Sequence, residues 1–164
     1  MSQRNKEKKV VVIIPVKKFD KSKTRLHPFL NEVERENLSK FLIKDLILKL
    51  SAIKDILIII VTSEIYEIKK IVKYYSVDLI YIDEKESCGV NNSISLADHY
   101  LKDKNFDSSI IIPIDLPLLK IKDIMKIINF SKKNGKWNLH CTFKQAGWNK
   151  HFTKKTTFNN KYII

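Results

Sequence analysis

The chain alternates between short unbroken apolar runs and longer stretches in which apolar residues recur every three or four positions. Val10-Val-Val-Ile-Ile-Pro15 is a continuous β-branched run, the pattern of a parallel strand buried on both faces. A polar loop, Lys17 to Phe29, separates it from the first helical stretch. There Asn31 is placed to cap a helix, with Glu34 at the capping-box position three residues on. Leu38, Leu42, Leu46 and Leu50, with Phe41 beside them, then mark one helical face. Ile56-Leu-Ile-Ile-Ile-Val61 predicts a second strand. Ser63 is expected to cap the next helix, whose Ile65, Ile68, Val72 and Tyr75 keep a 3.6-residue period. Leu79-Ile-Tyr-Ile82 predicts a third strand, and a loop from Asp83 to Asn91 leads into a helix carrying Ile94, Ala97 and Leu101. A fourth strand, Ser109 to Ile114, precedes a last helix with Ile121, Ile124, Met125 and Ile128.

Four strand–helix repeats joined by short loops predict an α/β protein: a Rossmann-like, three-layer αβα arrangement with a mainly parallel sheet. In such sheets ligands bind outside the carboxyl ends of the strands. Pro113 is tolerable only near a strand's end, which puts Asp115 at that carboxyl edge. After residue 131 both periodicities disappear. The expected organisation is a tail over residues 1–9, a core over 10–131 and an aberrant segment over 132–164, so that the C-terminal part of the fold is incomplete.

Charge looks at first like a nucleic-acid signal, because the net value is +13. Its distribution removes that reading. Residues 1–9 carry +3, residues 131–164 carry eight Lys and no acid, and the body between them carries only +2. The excess therefore sits on the two ends, as solvated basic segments, and no nucleic-acid partner is expected. The apolar runs are far shorter than the ~20 residues of a membrane span. The stretch behind the basic start is too short for a signal peptide, so a cytoplasmic protein without membrane contact is expected. Cys88 and Cys141 lie too far apart for a metal or redox motif and are read as reduced thiols.

Three pieces carry candidate chemistry. The loop after the first strand holds Lys17, Lys18, Lys21, Lys23 and Arg25. Cations over the ligand edge of a sheet neutralise a polyphosphate and stabilise a leaving pyrophosphate. Arg25 can grip a phosphate bidentately, whereas a Lys acts as a point charge. Taken alone, a solvated basic loop explains it equally well. Asp115, in Asp115-Leu-Pro-Leu118, is either a turn residue or a ligand for Mg²⁺, which takes one or two carboxylates plus phosphate oxygens. Gly89-Val-Asn-Asn92 offers close backbone approach and a helix N-terminus that favours anions. All three belong at strand carboxyl ends, and together they describe a phosphate-handling crevice.

Pro15-Val-Lys17, Ser22-Lys-Thr-Arg-Leu26, Gly89-Val-Asn91 and Asp115-Leu-Pro-Leu118, in that order and spacing, resemble the 2-phospho-L-lactate guanylyltransferase family of MobA-like nucleotidyltransferases over roughly residues 10–130. Related molybdopterin and sugar nucleotidyltransferases carry a Gly-rich loop after the first strand, whereas this chain has no Gly before Gly89. The resemblance implies a nucleotidyltransferase fold and transfer of GMP from GTP to 2-phospho-L-lactate or phosphoenolpyruvate in biosynthesis of the deazaflavin coenzyme F420. It implies that Lys17, Lys23 and Arg25 hold the triphosphate, with Pro15 and Gly89 in the nucleotide site, that Asn91 meets the nucleoside, and that Asp115 carries Mg²⁺. With a nucleophile that is already an anion no general base is needed, so His27, His99, His140 and His151 are read as surface or packing residues. A homodimer is compatible with the sequence.

The tail departs from the family, which continues with a strand, a Pro-Ser and a Gly-Thr-Asn segment for the acidic substrate. Read one base later, codons for Leu139 to Phe158 can encode a strand, Pro-Ser, Asp-Gly-Thr-Asn and Pro-Pro in family order. The glycine in that second frame is forced, since Trp148 has one codon and Asn149 begins with adenine. A frameshift near Asn138 is therefore expected, against a genuinely divergent tail. The competing functions are a related nucleotidyltransferase with another acceptor, an inactive nucleotide-binding remnant, and an anion-binding domain with a basic tail.

Overall fold

The computed structural model describes residues 10–85, 89–134, 137–140 and 161–163. The basic start over 1–9, Cys88, Cys141, His151 and most of the segment read as out of frame lie outside the described residues. The elements run β1 (Val10–Pro15), α1 (Glu32–Ser51), β2 (Ile56–Thr62), α2 (Ile65–Val72), β3 (Leu79–Asp83), α3 (Val90–Leu101), β4 (Ser108–Ile111), α4 (Ile121–Asn134), β5 (Trp137–His140) and β6 (Lys161–Ile163). They form one sheet of order β3-β2-β1-β4-β5-β6 in which every described pairing is parallel.

Its central strand is the one with the least polar sequence. β1 lies between β2 and β4, and all six of its residues are buried. Val10, Val12 and Ile14 face the core formed with Ile43, Leu46 and Ile47 of α1, Ile68 and Val72 of α2, and Ile124 and Ile128 of α4. Val11 and Ile13 face the opposite core, with Ile94, Ala97 and Leu101 of α3. Alternation of Cβ along an extended strand thus feeds two helical layers, which gives the three-layer αβα arrangement. Each fully buried Val or Ile contributes about 1.5–3 kcal/mol of transfer free energy, so this strand anchors the fold.

Local signals explain most of the boundaries. The Asn31 side chain accepts from Glu34 N–H at 3.0 Å while Glu34 accepts from Asn31 N–H at 2.8 Å, a complete capping box at the start of α1. Four details differ from the sequence expectation. Phe41 is exposed, because the sheet-facing stripe of α1 runs through Ser39, Leu42, Ile43, Leu46, Ile47 and Leu50 and position 41 falls a 100° step outside it. Ser63 does not cap α2; the Thr62 hydroxyl, one residue earlier, takes the Glu64 N–H at 3.0 Å. Ile121 and Met125 sit on the open margin of α4, whose inward residues are Ile124 and Ile128. β4 ends at Ile111, with Ile112 still donating to Ile13 O at 2.9 Å before Pro113.

The sheet also continues past residue 131, where periodicity is lost. α4 runs to Asn134, and Trp137–His140 pairs parallel with Ser108–Ile111. A short edge-side strand needs no alternation, since backbone pairing alone defines it.

Candidate active site

Two prolines open the sheet where the site lies. The β1–β4 ladder ends with Ile112 N–H donating to Ile13 O. The next rung would require an N–H at position 15, and Pro15 has none. Pro113 stops β4 from the other side. The two strands therefore part at their carboxyl ends, at the point where the strand order reverses, with β2 and β3 on the far side of β1 and β5 and β6 on the far side of β4. A cavity of about 410 Å³ occupies this position, within the size range of small-molecule sites.

The loop after β1 forms one wall, and it is held from beneath. Val16 and Phe19 are buried in the core. Ser22 is buried as well: its N–H donates to Phe19 O at 3.1 Å, and its hydroxyl meets Phe19 O at 2.8 Å and the Ser39 hydroxyl of α1. Lys23 then adopts a left-handed conformation with φ 54°, which reverses the chain into the 3-10 turn Thr24–Leu26, closed by Leu26 N–H to Lys23 O at 2.9 Å. A non-glycine residue in that region costs on the order of 1–2 kcal/mol. The buried anchors on one side and the turn on the other hold Lys23 there. Its ammonium lies 3.6 Å from Asp115 Oδ2, with the Lys23 side chain 16% and the Asp115 side chain 63% exposed.

Pro15, Lys17, Lys23, Arg25, Gly89 and Asp115 all line this one cavity. Asn91 does not; it is exposed in the first turn of α3. Gly89, at φ 92°, occupies a backbone region that L side chains rarely adopt, and a Cβ there would meet nothing within 4 Å. Its conformation, not crowding, is what calls for glycine at the entrance to α3. His27 and His99 are exposed and apart from the cavity.

Glu84 is the residue that sequence reasoning missed. It follows the last residue of β3, is 3% exposed and lines the cavity. Its Oε1 accepts from Asn92 Nδ2 at 3.1 Å and from Ser93 Oγ at 2.9 Å, both on the first turn of α3. A carboxylate just beyond a strand's end was visible in the sequence, as it was for Asp115, but its burial was not. Among the described residues no group of three or more His, Cys, Asp or Glu side chains comes together. A divalent ion at Asp115 would complete its shell with phosphate oxygens and water, the mode Mg²⁺ favours. The exposed Asp115 carboxylate, a hard oxygen donor, fits that role.

A parallel αβα sheet that opens at its switch point between a cationic loop and a carboxylate is the Rossmann-like fold of nucleotidyltransferases. The chain belongs to the family described as "Guanylyl transferase CofC like", whose profile matches residues 10–163, beyond the limit near residue 130 expected from the motifs. It is 40% identical over 123 residues to a 2-phospho-L-lactate guanylyltransferase of Methanosphaera stadtmanae, covering 73% of this chain and 52% of that protein. A protein of the same description from Methanocaldococcus jannaschii is 40% identical over 124 residues, covering 76% and 51%. The chain thus spans about half the length of the curated relatives it matches. Among solved structures, a putative nucleotide-diphospho-sugar transferase from Desulfovibrio desulfuricans G20 superposes with a TM-score of 0.59 at 16% identity, over 74% of this chain and 54% of that one, a likeness of fold. No described helix is long and apolar enough to cross a membrane.

Proposed function

We propose that this chain carries the nucleotide half of a guanylyltransferase that joins the GMP moiety of GTP to 2-phospho-L-lactate or phosphoenolpyruvate, in the biosynthesis of coenzyme F420. The observation that carries the proposal is the cavity lined by Lys17, Lys23, Arg25 and Asp115, with Lys23 3.6 Å from the Asp115 carboxylate, in a member of this family. An acceptor phosphate oxygen attacks the α-phosphorus, the bond from that phosphorus to the bridging oxygen breaks, and pyrophosphate leaves with the electron pair. The nucleophile arrives as an anion, so no side chain has to remove a proton. Lys17, Lys23 and Arg25 bind the triphosphate and offset the charge that grows on the leaving group. Arg25 does so as a two-pronged donor that fixes orientation. Asp115 would hold a Mg²⁺, which would supply positive charge to the phosphate oxygens. Lys23, 3.6 Å from that carboxylate, lies close enough to serve both the carboxylate and the triphosphate.

A second reading, a nucleotide-binding remnant without turnover, is supported by the cavity lining, which among the described residues includes none beyond Asp115. Pyrophosphate release from GTP, Mg²⁺ and 2-phospholactate or phosphoenolpyruvate tests the first. Absence of release with GTP-dependent thermal stabilisation supports the remnant, and absence of both refutes the nucleotide site.

The acid-free composition beyond residue 131 supports the further proposal that the chain leaves the family's reading frame near Asn138, and the family profile running on to residue 163 counts against it. Resequencing the gene across codons 130–150 decides this: a clean read without an indel, with the same tail in an independent isolate, overturns it.

A further inference from the structure

The buried carboxylate of Glu84 has no part in binding phosphates, and its position suggests what it does bind. A carboxylate inside a protein is costly unless donors surround it. Among the described residues, Asn92 Nδ2 and Ser93 Oγ both donate to the same oxygen, Oε1, which leaves Oε2 with acceptor capacity. The residue is also part of the cavity wall. Standing at the N-terminus of α3, Glu84 already supplies the anion that a helix dipole attracts, so a phosphate placed there would meet a buried like charge. The triphosphate therefore belongs at the opposite end, over Lys17, Lys23 and Arg25. β3, which delivers Glu84, and β4, which delivers Asp115, are separated in the sheet by β2 and β1. Three strand spacings amount to roughly 14 Å, the span of an extended nucleotide rather than of a phosphate group alone. The cavity is thus polarised, with cations at one end and one buried acceptor at the other.

We propose that Glu84 is the specificity-determining residue of the nucleotide site: its Oε2 accepts from the paired N1–H and N2–H₂ donors of guanine and rejects adenine, which presents an acceptor at N1. The proposal rests on a nucleoside triphosphate being the ligand. The informative variant is Glu84→Gln. Its amide oxygen is held by the Asn92 and Ser93 donors, so its NH₂ group turns to the base, opposing guanine and matching adenine N1.

Dissociation constants for GTP, ITP, ATP and 2′-deoxy-GTP are measured by calorimetry on the full chain and on Glu84→Gln, each checked for folding by circular dichroism. The native chain is expected to prefer GTP over ITP, which lacks the N2 amine, by roughly ten- to a hundredfold, the range for a hydrogen bond to a charged group. Glu84→Gln is expected to abolish the preference for GTP over ATP while binding ATP at least as well as the native chain does. An equal loss for all four nucleotides would mean that Glu84 only supports α3, and overturns the proposal. So does a native chain that discriminates 2′-deoxy-GTP from GTP but not ITP from GTP, which would place Glu84 on the ribose. If the native chain binds none of the four, the nucleotide site itself fails and this assignment with it. If it binds GTP and the variant keeps its preference, only the role of Glu84 fails.

Discussion

Replacing Asp115 by Asn separates the roles of the Lys23–Asp115 pair in stability and in chemistry. The two charges lie 3.6 Å apart, and the Asp115 side chain is 63% exposed. At that separation the Coulomb attraction in water is about 1 kcal/mol, and measured exposed pairs contribute roughly 0.2–1 kcal/mol. Loss of the pair should therefore lower the melting temperature of a chain of this size by no more than ~4 °C. Chemistry should respond very differently. Removing one electrostatic partner of a transferring phosphoryl group typically costs ~10²–10³ in kcat. The variant also leaves Lys23 without its carboxylate, so the site becomes one charge more positive. GTP in EDTA should then bind as well as before or up to about fivefold more tightly, the equivalent of 1 kcal/mol. Three measurements on the same preparations check this: melting by differential scanning fluorimetry, GTP affinity by calorimetry without Mg²⁺, and pyrophosphate release with it. Turnover within threefold of the native chain would refute the metal assignment. A fall in melting temperature beyond ~8 °C would show instead that Asp115 supports the fold.

Ser22→Ala removes the hydroxyl that ties the cationic loop to Phe19 and Ser39; a loss of about 1 kcal/mol in urea unfolding is expected, together with weaker GTP binding, because Lys23 loses its anchor. Unchanged GTP affinity would mean that the loop is positioned by Phe19 alone. Arg35 is buried, its Nη1 donates to Leu30 O at 3.0 Å, and its Nε has no partner among the described residues, so Arg35→Met should be neutral or stabilising in the same assay, whereas a loss above ~2 kcal/mol would show that the guanidinium is solvated by bound water. Asn31→Ala breaks the capping box of α1 and should cost about 1 kcal/mol without altering GTP affinity, a test that helix and site are energetically separate.

Features with a short-range cause were legible along the chain. Runs of β-branched residues specify β1, β2 and β3 because such side chains fill a doubly covered sheet, and their bounds are close to those expected. The Asn31–Glu34 box is a contact over three residues and is legible as such. Strand–loop order also placed the cations and Asp115 at one edge, since in a parallel sheet every carboxyl end points the same way. The remaining features depend on which neighbour a residue meets once the elements pack. Phe41 and Leu42 are adjacent in an apolar stretch, and only the angle at which α1 lies on the sheet exposes one and buries the other. Asn91 and Asn92 are identical side chains one step apart, and a 100° rotation about α3 leaves the first in solvent and brings the second to Glu84. Pro15 has the same chemistry anywhere, but it opens a crevice only because β4, nearly a hundred residues away, lies beside it and lacks the rung it cannot donate. The end of the cavity with the cationic loop and Asp115 is thus written in local sequence, while the buried carboxylate of Glu84 is enclosed only once β3 and α3 have packed together.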